Sequence, residues 1–396
     1  MDVPSLKETH PQKYYFKLIC RIMYYLGMGD IWYEEIPVSY YAKKFYTFWR
    51  IISNSFVVVV LVDEFLSYLR SDLSDREKND LVQFSLAHPT IALKIVTLYA
   101  SKERVTSIMK HLLEETRPIF HSLELEKMSV KRFAKYCMMM TGCSYFTLSA
   151  ATIEGIRIYI NEDIPIRTEV VYYPNPSQTG LAINIMRFLV EFHWYYIVGI
   201  MATIDCLALC SLLTVAHKFS LLRLYFKNLR IKALENRRKP NFEEEFRKDF
   251  VIGIKLHADA LWCARNVQKI MGPLYSIQVY EGVTLLVMCL IKLVLTERNY
   301  VFLLATLAYM FSIIILTGAY MIPAGDITYE ATLVGTAMFH SGWEVCGGAG
   351  LRTLAVVALQ VSQVPVYMTA YGVLVLSHRN LVSLLRSSYS FFAVMY

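Results

Sequence analysis

The sequence predicts an all-α polytopic membrane protein with seven transmembrane helices, its N-terminus cytosolic and its C-terminus extracellular. Three observations carry this. First, 55% of the 396 residues are hydrophobic and 18% charged, against about 45–50% and about 25% in a soluble domain. The excess gathers in segments long enough to cross a bilayer, and mean hydropathy is +0.38. Second, seven such segments force the two ends onto opposite sides. Third, Lys and Arg concentrate in the N-terminal segment, in Lys102–Lys131 and in Arg223–Lys269, which places those three stretches in the cytosol. The net charge of +7 has the same origin, basic loops facing an anionic leaflet. It does not point to nucleic acid.

The elements follow in order. Residues 1–44 form a polar, basic segment (Lys7, Lys13, Lys17, Arg21, Lys43, Lys44). Met1–Arg21 lacks the compact apolar core of a cleavable signal peptide, so membrane entry is expected from the first internal helix. Span 1 runs from about Phe45 to Leu69, with Val57–Val60 at its centre. A polar turn, Ser71–Asp80, leads to span 2, about Leu81–Ala100, where Lys94 is expected to snorkel from near the end. Lys102–Lys131 reads as a solvated helix pair broken at Pro118. Span 3 covers about Phe133–Ile160. An acidic, proline-rich outer loop follows (Glu162, Asp163, Pro165, Glu169, Pro174, Pro176). Span 4, about Ala182–Ala216, holds the cluster Phe192-His193-Trp194-Tyr195-Tyr196. A basic, helix-compatible stretch then leads without a clear break into span 5, about Pro273–Leu295. A short turn, Thr296–Asn299, joins it to span 6, about Tyr300–Ile322.

The last 73 residues begin with a polar, small-residue segment, Ala324 to Trp343. A helix-compatible run, Leu351–Pro365, comes next, and then a final apolar helix, Tyr367–Tyr396, roughly 45 Å long at 1.5 Å per residue. Arg379, Ser383, Arg386, Ser387 and Ser390 lie on one face of it. Lipid does not solvate such a stripe, so it faces either neighbouring helices or the water of a pore. The organisation is therefore 1–44 (cytosolic), 45–217 (spans 1–4), 218–269 (cytosolic helices), 270–323 (spans 5–6), 324–365 (cytosolic segment) and 366–396 (span 7).

No catalytic constellation is present. There is no Gly-rich phosphate loop, no His-Glu-x-x-His and no acid–base set, so neither an enzyme nor a cofactor or metal is expected. The eight cysteines avoid the outer loop between Ile158 and Met186. Cys206 and Cys210, one turn apart, read as packing residues. Asp205 and Glu281 fall inside spans, where an acid is either functional or hydrogen-bonded between helices. His88, beside Pro89, either lines a cavity or caps a kink. A G-protein-coupled receptor is excluded by the inverted orientation and by the absence of Asp-Arg-Tyr and Asn-Pro-x-x-Tyr.

Several short motifs recur in order: Leu256-His257-x-x-x-Leu261 leading into span 5; Tyr309-x-x-x-Ile313 and Gly318 in span 6; Gly325-Asp326-x-x-x-x-Ala331; Ala337-x-x-x-Ser341-x-Trp343; Gln363-x-Pro365; and Ser387-Ser388-Tyr389-Ser390-Phe391-Phe392. On an inverted seven-span layout these resemble the insect odorant receptors. The chain departs in having Ala331 where the family usually has Ser after Glu330, and Phe339 where it usually has Tyr. Gustatory receptors share the layout but end in a Thr-Tyr…Gln-Phe pattern not found here. The obligatory co-receptor is longer before span 5. The resemblance is thus to a ligand-tuned subunit.

The resemblance implies an odorant-gated, non-selective cation channel in the sensory-neuron plasma membrane, with tuned and co-receptor subunits forming a hetero-tetramer. A gustatory-like channel and a secondary transporter are the alternatives, the latter lacking internal repeats. The family's pocket lies in the outer half, between spans 2, 3, 4 and 6, and takes a small apolar volatile. Its counterparts here are Phe84, His88, Tyr145, Phe146, Ser149, Phe192, Tyr195, Tyr196, Thr306 and Tyr309. The last helix would line the pore, with Ser387 and Ser390 on its wall and Val394 as an apolar gate at the outer mouth. Arg386 is the difficulty, because a cation there repels permeant cations.

Overall fold

The computed structural model describes residues 5–34, 39–162, 170–175, 177–295, 300–346 and 348–395. The turn Thr296–Asn299 and residues 163–169 of the acidic loop lie outside this set. Ten α-helices are described: α1 (Leu6–Thr9), α2 (Pro11–Tyr25), α3 (Tyr40–Leu66), α4 (Asp75–Lys110), α5 (Leu123–Glu162), α6 (Leu181–Asn236), α7 (Phe242–Leu295), α8 (Tyr300–Phe339), α9 (Ala349–Ser362) and α10 (His378–Met395). Five of them, α3, α4, α6, α7 and α8, are long and apolar enough to cross a membrane. With α5 and α10, whose polar residues lower their hydropathy, they make seven long helices.

Helix α6 is the axis. It packs against α2, α3, α4, α5, α7 and α8, and 89% of its most apolar window is buried. A helix that is apolar all round has no solvent face to offer, so it takes the centre. At 56 residues it is roughly 84 Å long, far more than a bilayer needs. The surplus, with the matching halves of α7 and α8, forms an anchor end. Its core includes Phe219, Phe226, Phe246 and Phe250, all buried, with the Phe226 and Phe250 rings 5.9 Å apart. The helices α6, α7 and α8 pass unbroken from bundle to anchor, so the boundaries at 217/218, 269/270 and 323/324 are positions along continuous rods.

The N-terminal arm packs on the same end. Phe16 meets Phe133 edge-on at 5.9 Å. Lys13 bridges Glu34 at 2.5 Å and Glu114 at 2.7 Å. Burial pushes the Glu34 carboxyl upward, but hydrogen bonds from Lys13, Trp32 and Lys17 outweigh it and hold it down at about 2. The break near Pro118 is real: α4 ends at Lys110, a π-turn covers His111–Glu115, and α5 starts at Leu123. The pair is not fully solvated, however. Val105, Ile108, Met109, Leu112 and Leu113 are buried, because one face of this charged stretch closes the anchor core.

Two expectations are corrected. Lys94 does not snorkel: it is wholly buried, because two carboxylates meet it inside the bundle. The final helix does not begin at Tyr367. Residues 369–370 and 374–375 pair as a two-stranded hairpin, and α10 starts at His378. Tyr371 and Gly372 turn the hairpin at φ 55° and 71°, a conformation a helix does not accept. The Gln268 side chain holds it, accepting from the Thr369 N–H at 2.8 Å and donating to the Thr369 carbonyl at 2.9 Å. With 18 residues, α10 is roughly 27 Å long, a single bilayer crossing rather than a projecting rod.

Candidate functional site

A cavity of about 880 Å³ opens at the end of the bundle opposite the anchor. Five helices line it, each on one face. From α4 come Glu77, Asp80, Phe84, Ala87, His88 and Ile91. From α7 come Glu281, Leu285, Cys289 and Lys292, spaced by three or four residues and hence stacked along one stripe. The remaining walls belong to α5 (Ser144 to Gly155), α6 (Trp194, Val198, Met201) and α8 (Leu304 to Leu316). Helix α4 is aimed by a capping box, in which the Glu77 N–H donates to the Ser74 hydroxyl and Glu77 Oε2 accepts from the Ser74 N–H at 2.8 Å.

The mouth is polar. Lys292 pairs with Asp80 there. Half-way down, His88 Nδ1 sits 2.6 Å from Glu64 Oε2, parallel to the Phe84 ring at 5.1 Å and tilted against Trp194 at 4.3 Å. Below, the wall is chiefly aliphatic and aromatic, with the hydroxyls of Thr147, Thr306 and Ser312 among it. The floor is set by Ile91, Ser144, Met201, Glu281 and Leu316.

The Glu281 carboxylate of that floor belongs to an ionic layer that continues one helical turn deeper. Lys94 Nζ is 3.1 Å from Asp205 Oδ2, 2.6 Å from Gln278 Oε1 and 3.0 Å from Glu281 Oε2. The Tyr320 hydroxyl donates to Asp205 Oδ1 at 2.7 Å. Lys94 follows Ile91 by three residues, Asp205 follows Met201 by four, Tyr320 follows Leu316 by four, and Gln278 precedes Glu281 by three. Four helices therefore meet in one plane that sets one ammonium against two carboxylates. Buried charges persist when paired and hydrogen-bonded: Lys94 and Asp205 are both, while Glu281 Oε2 has the ion pair with Lys94 but no hydrogen bond. The two intramembrane acids are thus joined through one lysine.

The ten sequence-predicted ligand residues divide. Phe84, His88, Phe146, Thr306 and Tyr309 line the cavity. The other five do not. Tyr145 donates to the Tyr195 carbonyl at 3.2 Å, and the Tyr195 hydroxyl meets Thr152 Oγ1 at 3.0 Å, so both fasten α5 to α6. The Tyr196 hydroxyl donates to the Leu26 carbonyl at 2.6 Å, beneath the N-terminal arm. Phe192 is 65% exposed on the outer face of α6, and Ser149 is half-buried beside the cavity wall. The α7 stripe and Trp194 escaped the sequence reading. The spacing of Glu281, Leu285, Cys289 and Lys292 was the available signal.

On α10 the stripe is exposed: Arg379, Val382, Ser383, Arg386, Ser387, Tyr389 and Ser390 face away from the bundle, while Leu384 and Ser388 are buried against it. Arg386 has no ion pair among the described residues. The Val394 side chain lies outside the described set.

Near the anchor, His111, Asp259 and Cys263 bring three ligand atoms within 4.8 Å. Lys218 Nζ already occupies Asp259 at 2.8 Å. Burial raises the Asp259 carboxyl, but Lys218 and His111 outweigh it and hold it low, and burial pushes the Cys263 thiol up to about 12. With Lys218 seated on Asp259 and His111 beside it, the described groups form an ion-pair cluster.

The sequence profile of the 7tm odorant receptor family matches residues 77–389. The chain belongs to this family. The fold agrees. It superposes on the insect olfactory receptor OR5 from Machilis hrabei in complex with eugenol with a TM-score of 0.78, 11% identity, and 98% of each chain covered. The same receptor described without that ligand gives 0.76 and 12%, over 98% of this chain and 99% of that one. No curated protein sequence matches significantly. Odorant receptors are membrane receptors, not enzymes.

Family membership gives the motifs of this receptor their places. Asp326 pairs with Arg132 of α5 and lies 3.7 Å from His378 at the start of α10. A Cβ on Gly325 would stand 3.0 Å from His378 Nδ1 and 3.3 Å from its backbone N, so a side chain there would press on the start of α10. Gly342, at φ +97°, turns the chain after α8, where a Cβ would come 2.7 Å from Ala233. Trp343 donates to the Phe339 carbonyl at 3.0 Å.

Proposed function

We propose that this odorant receptor binds a small, mostly apolar volatile in the cavity between α4, α5, α6, α7 and α8 and opens a cation pore lined by α10. The observation that carries the reading is the cavity: deep, walled mainly by aliphatic and aromatic side chains with hydroxyls and charged groups set among them, floored by the Glu281–Lys94 layer, and set in the bundle of an odorant receptor. Such a site suits a ligand whose free energy of binding is chiefly the burial of apolar surface. The complex of the similar Machilis hrabei receptor with eugenol supports the same class.

The exposed stripe of α10 supports a water-facing role. A polar face pointing away from its own bundle needs other subunits around a central axis. By family, co-receptor subunits supply them in a hetero-tetramer, and the anchor end makes the inter-subunit contacts. One tuned chain then contributes one Arg386 to the pore rather than a full ring. In this assembly the N-terminus and the anchor are cytosolic, the cavity mouth and the end of α10 face outside, and the receptor sits in the plasma membrane of a sensory dendrite.

The test is co-expression with an odorant co-receptor under voltage clamp against a volatile panel. An inward cation current for some panel members, absent without the receptor, is expected. Receptor at the surface that passes no ligand-evoked current with any co-receptor would overturn the channel reading.

A further inference from the structure

The floor of the cavity carries a carboxylate whose hydrogen-bonding capacity is unfilled. Glu281 lies there beside Ile91, Met201 and Leu316. Its Oε2 turns to Lys94 Nζ at 3.0 Å and accepts no hydrogen bond. None reaches Oε1 among the described residues either. The side chain keeps 10% of its surface exposed, and Glu281 belongs to the lining, so that surface is turned to the cavity.

A carboxylate buried this far ordinarily accepts several hydrogen bonds. Asp205 in the same layer accepts from Lys94 at 3.1 Å and from Tyr320 at 2.7 Å. Lys94 has nothing left for Glu281 Oε1. Its ammonium is shared among Asp205, Gln278 and Glu281 Oε2, and it sets one positive charge against two negative ones.

The neighbouring hydroxyls supply no donor. Ser144 donates to the Met140 carbonyl at 3.0 Å, Thr147 to the Ser144 carbonyl at 2.8 Å and Ser312 to the Ala308 carbonyl at 3.1 Å. Each spends its one proton on its own helix and offers only lone pairs elsewhere. The Lys292 ammonium pairs with Asp80 and lies beside Gln83, about 16 Å up the same helix from Glu281. These polar groups of the lower cavity are therefore acceptors.

A ligand seated on the floor excludes solvent from Glu281. A ketone, ester or ether brings one more acceptor and leaves the carboxylate oxygen bare, at the cost of its desolvation. A hydroxyl donates to that oxygen and forms a charge-assisted hydrogen bond. Resting on the pocket reading above, we propose that Glu281 is a ligand-binding residue. It accepts a hydrogen bond from the hydroxyl of an alcohol or phenol odorant, and it selects these ligands over ketones, esters and ethers of similar size.

The experiment is calorimetric titration of the full-length receptor in nanodiscs, corrected for partition into empty nanodiscs. The probes are pairs that differ in the donor: 2-heptanol with 2-heptanone, 1-phenylethanol with acetophenone, and 4-ethylphenol with 4-ethylanisole. In the parent, the hydroxyl member of a pair is expected to bind about tenfold to a hundredfold tighter than its partner. In Glu281→Gln the amide offers a donor as well as an acceptor, so the ratio is expected to fall to within about threefold. A role in packing alone would weaken both members of a pair and leave the ratio unchanged. Should the variant fail to fold, the ratios in the parent decide. Hydroxyl and donor-free members of equal affinity in the parent, or an unchanged ratio in Glu281→Gln, would overturn the proposal while leaving the pocket standing. Binding of none of these probes overturns the pocket reading itself.

Discussion

Replacing Lys94 by Met tests the ionic layer directly. The two side chains are of similar length and volume, so packing is nearly conserved and the charge alone is lost. Lys94 is wholly buried and lies within 2.6–3.1 Å of Gln278, Asp205 and Glu281. Without it two carboxylates remain, Asp205 with a side chain 2% exposed and Glu281 with one 10% exposed. Tyr320 still donates to Asp205, but nothing in the layer neutralises either acid. Removing one partner of a buried pair costs about 3–5 kcal/mol. At roughly 2 °C per kcal/mol for a large chain, the melting midpoint in detergent should fall by about 6–10 °C. The triple variant Lys94→Met, Asp205→Asn, Glu281→Gln removes all three charges and should recover most of the loss, because a neutral layer of equal volume has no ion to desolvate. Thermal size-exclusion chromatography on the purified receptor reads both. A Lys94→Met variant melting within 2 °C of the parent would refute the reasoning, and so would a triple variant as unstable as the single.

Four further outcomes follow. Phe84→Ala, on the cavity wall, should raise the EC50 of a bound odorant about tenfold or more through roughly 1–3 kcal/mol of lost contact, whereas Tyr145→Ala should lower surface expression with little change in the EC50 of the channels that remain. Ser387→Cys and Ser390→Cys should react with a water-soluble thiol reagent faster with agonist than without, and buried Leu384→Cys should not; equal rates on both faces would leave the stripe as packing. An epitope tag before Met1 should be reached only after permeabilisation and one after Tyr396 on intact cells, and the reverse would overturn the orientation. Because the Glu34 carboxyl is held at about 2 in the folded arm and titrates near 4.5 when released, its contribution is complete above pH 4.5 and is lost as pH falls toward 2. Protease cleavage of the arm should therefore accelerate across that window in the parent and change less in Glu34→Gln.

Much of the fold was written in hydropathy. Spans and basic stretches followed from segment composition, and the absence of a break between Arg223 and span 5 was visible because nothing there disfavours a helix. The start of α10 was not, since Tyr367–Leu376 is as apolar as a span. What decides against a helix is Gly372 and the Gln268 clasp on Thr369, a contact across about a hundred residues. Lys94 misled for a related reason. Hydropathy records a charge but not its partners, and these lie on α6 and α7. In the pocket, depth was legible and direction was not. Phe192, Tyr195 and Tyr196 occupy the right level of α6, but adjacent residues point about 100° apart, and only Trp194 of that cluster turns inward.

The blind floor has a kinetic consequence. On the proposed reading, the Lys94 layer bars passage toward the anchor, so a molecule that enters at the Asp80–Lys292 end leaves by that end. Entry and exit then share one barrier, and a change at the rim speeds or slows both together. Substitutions there should alter how quickly a response begins and fades while shifting its midpoint little. Depth, set far below, governs which molecules stay. On that reading, the tempo of a signal and its chemical selectivity would be written on different residues, about three helical turns apart.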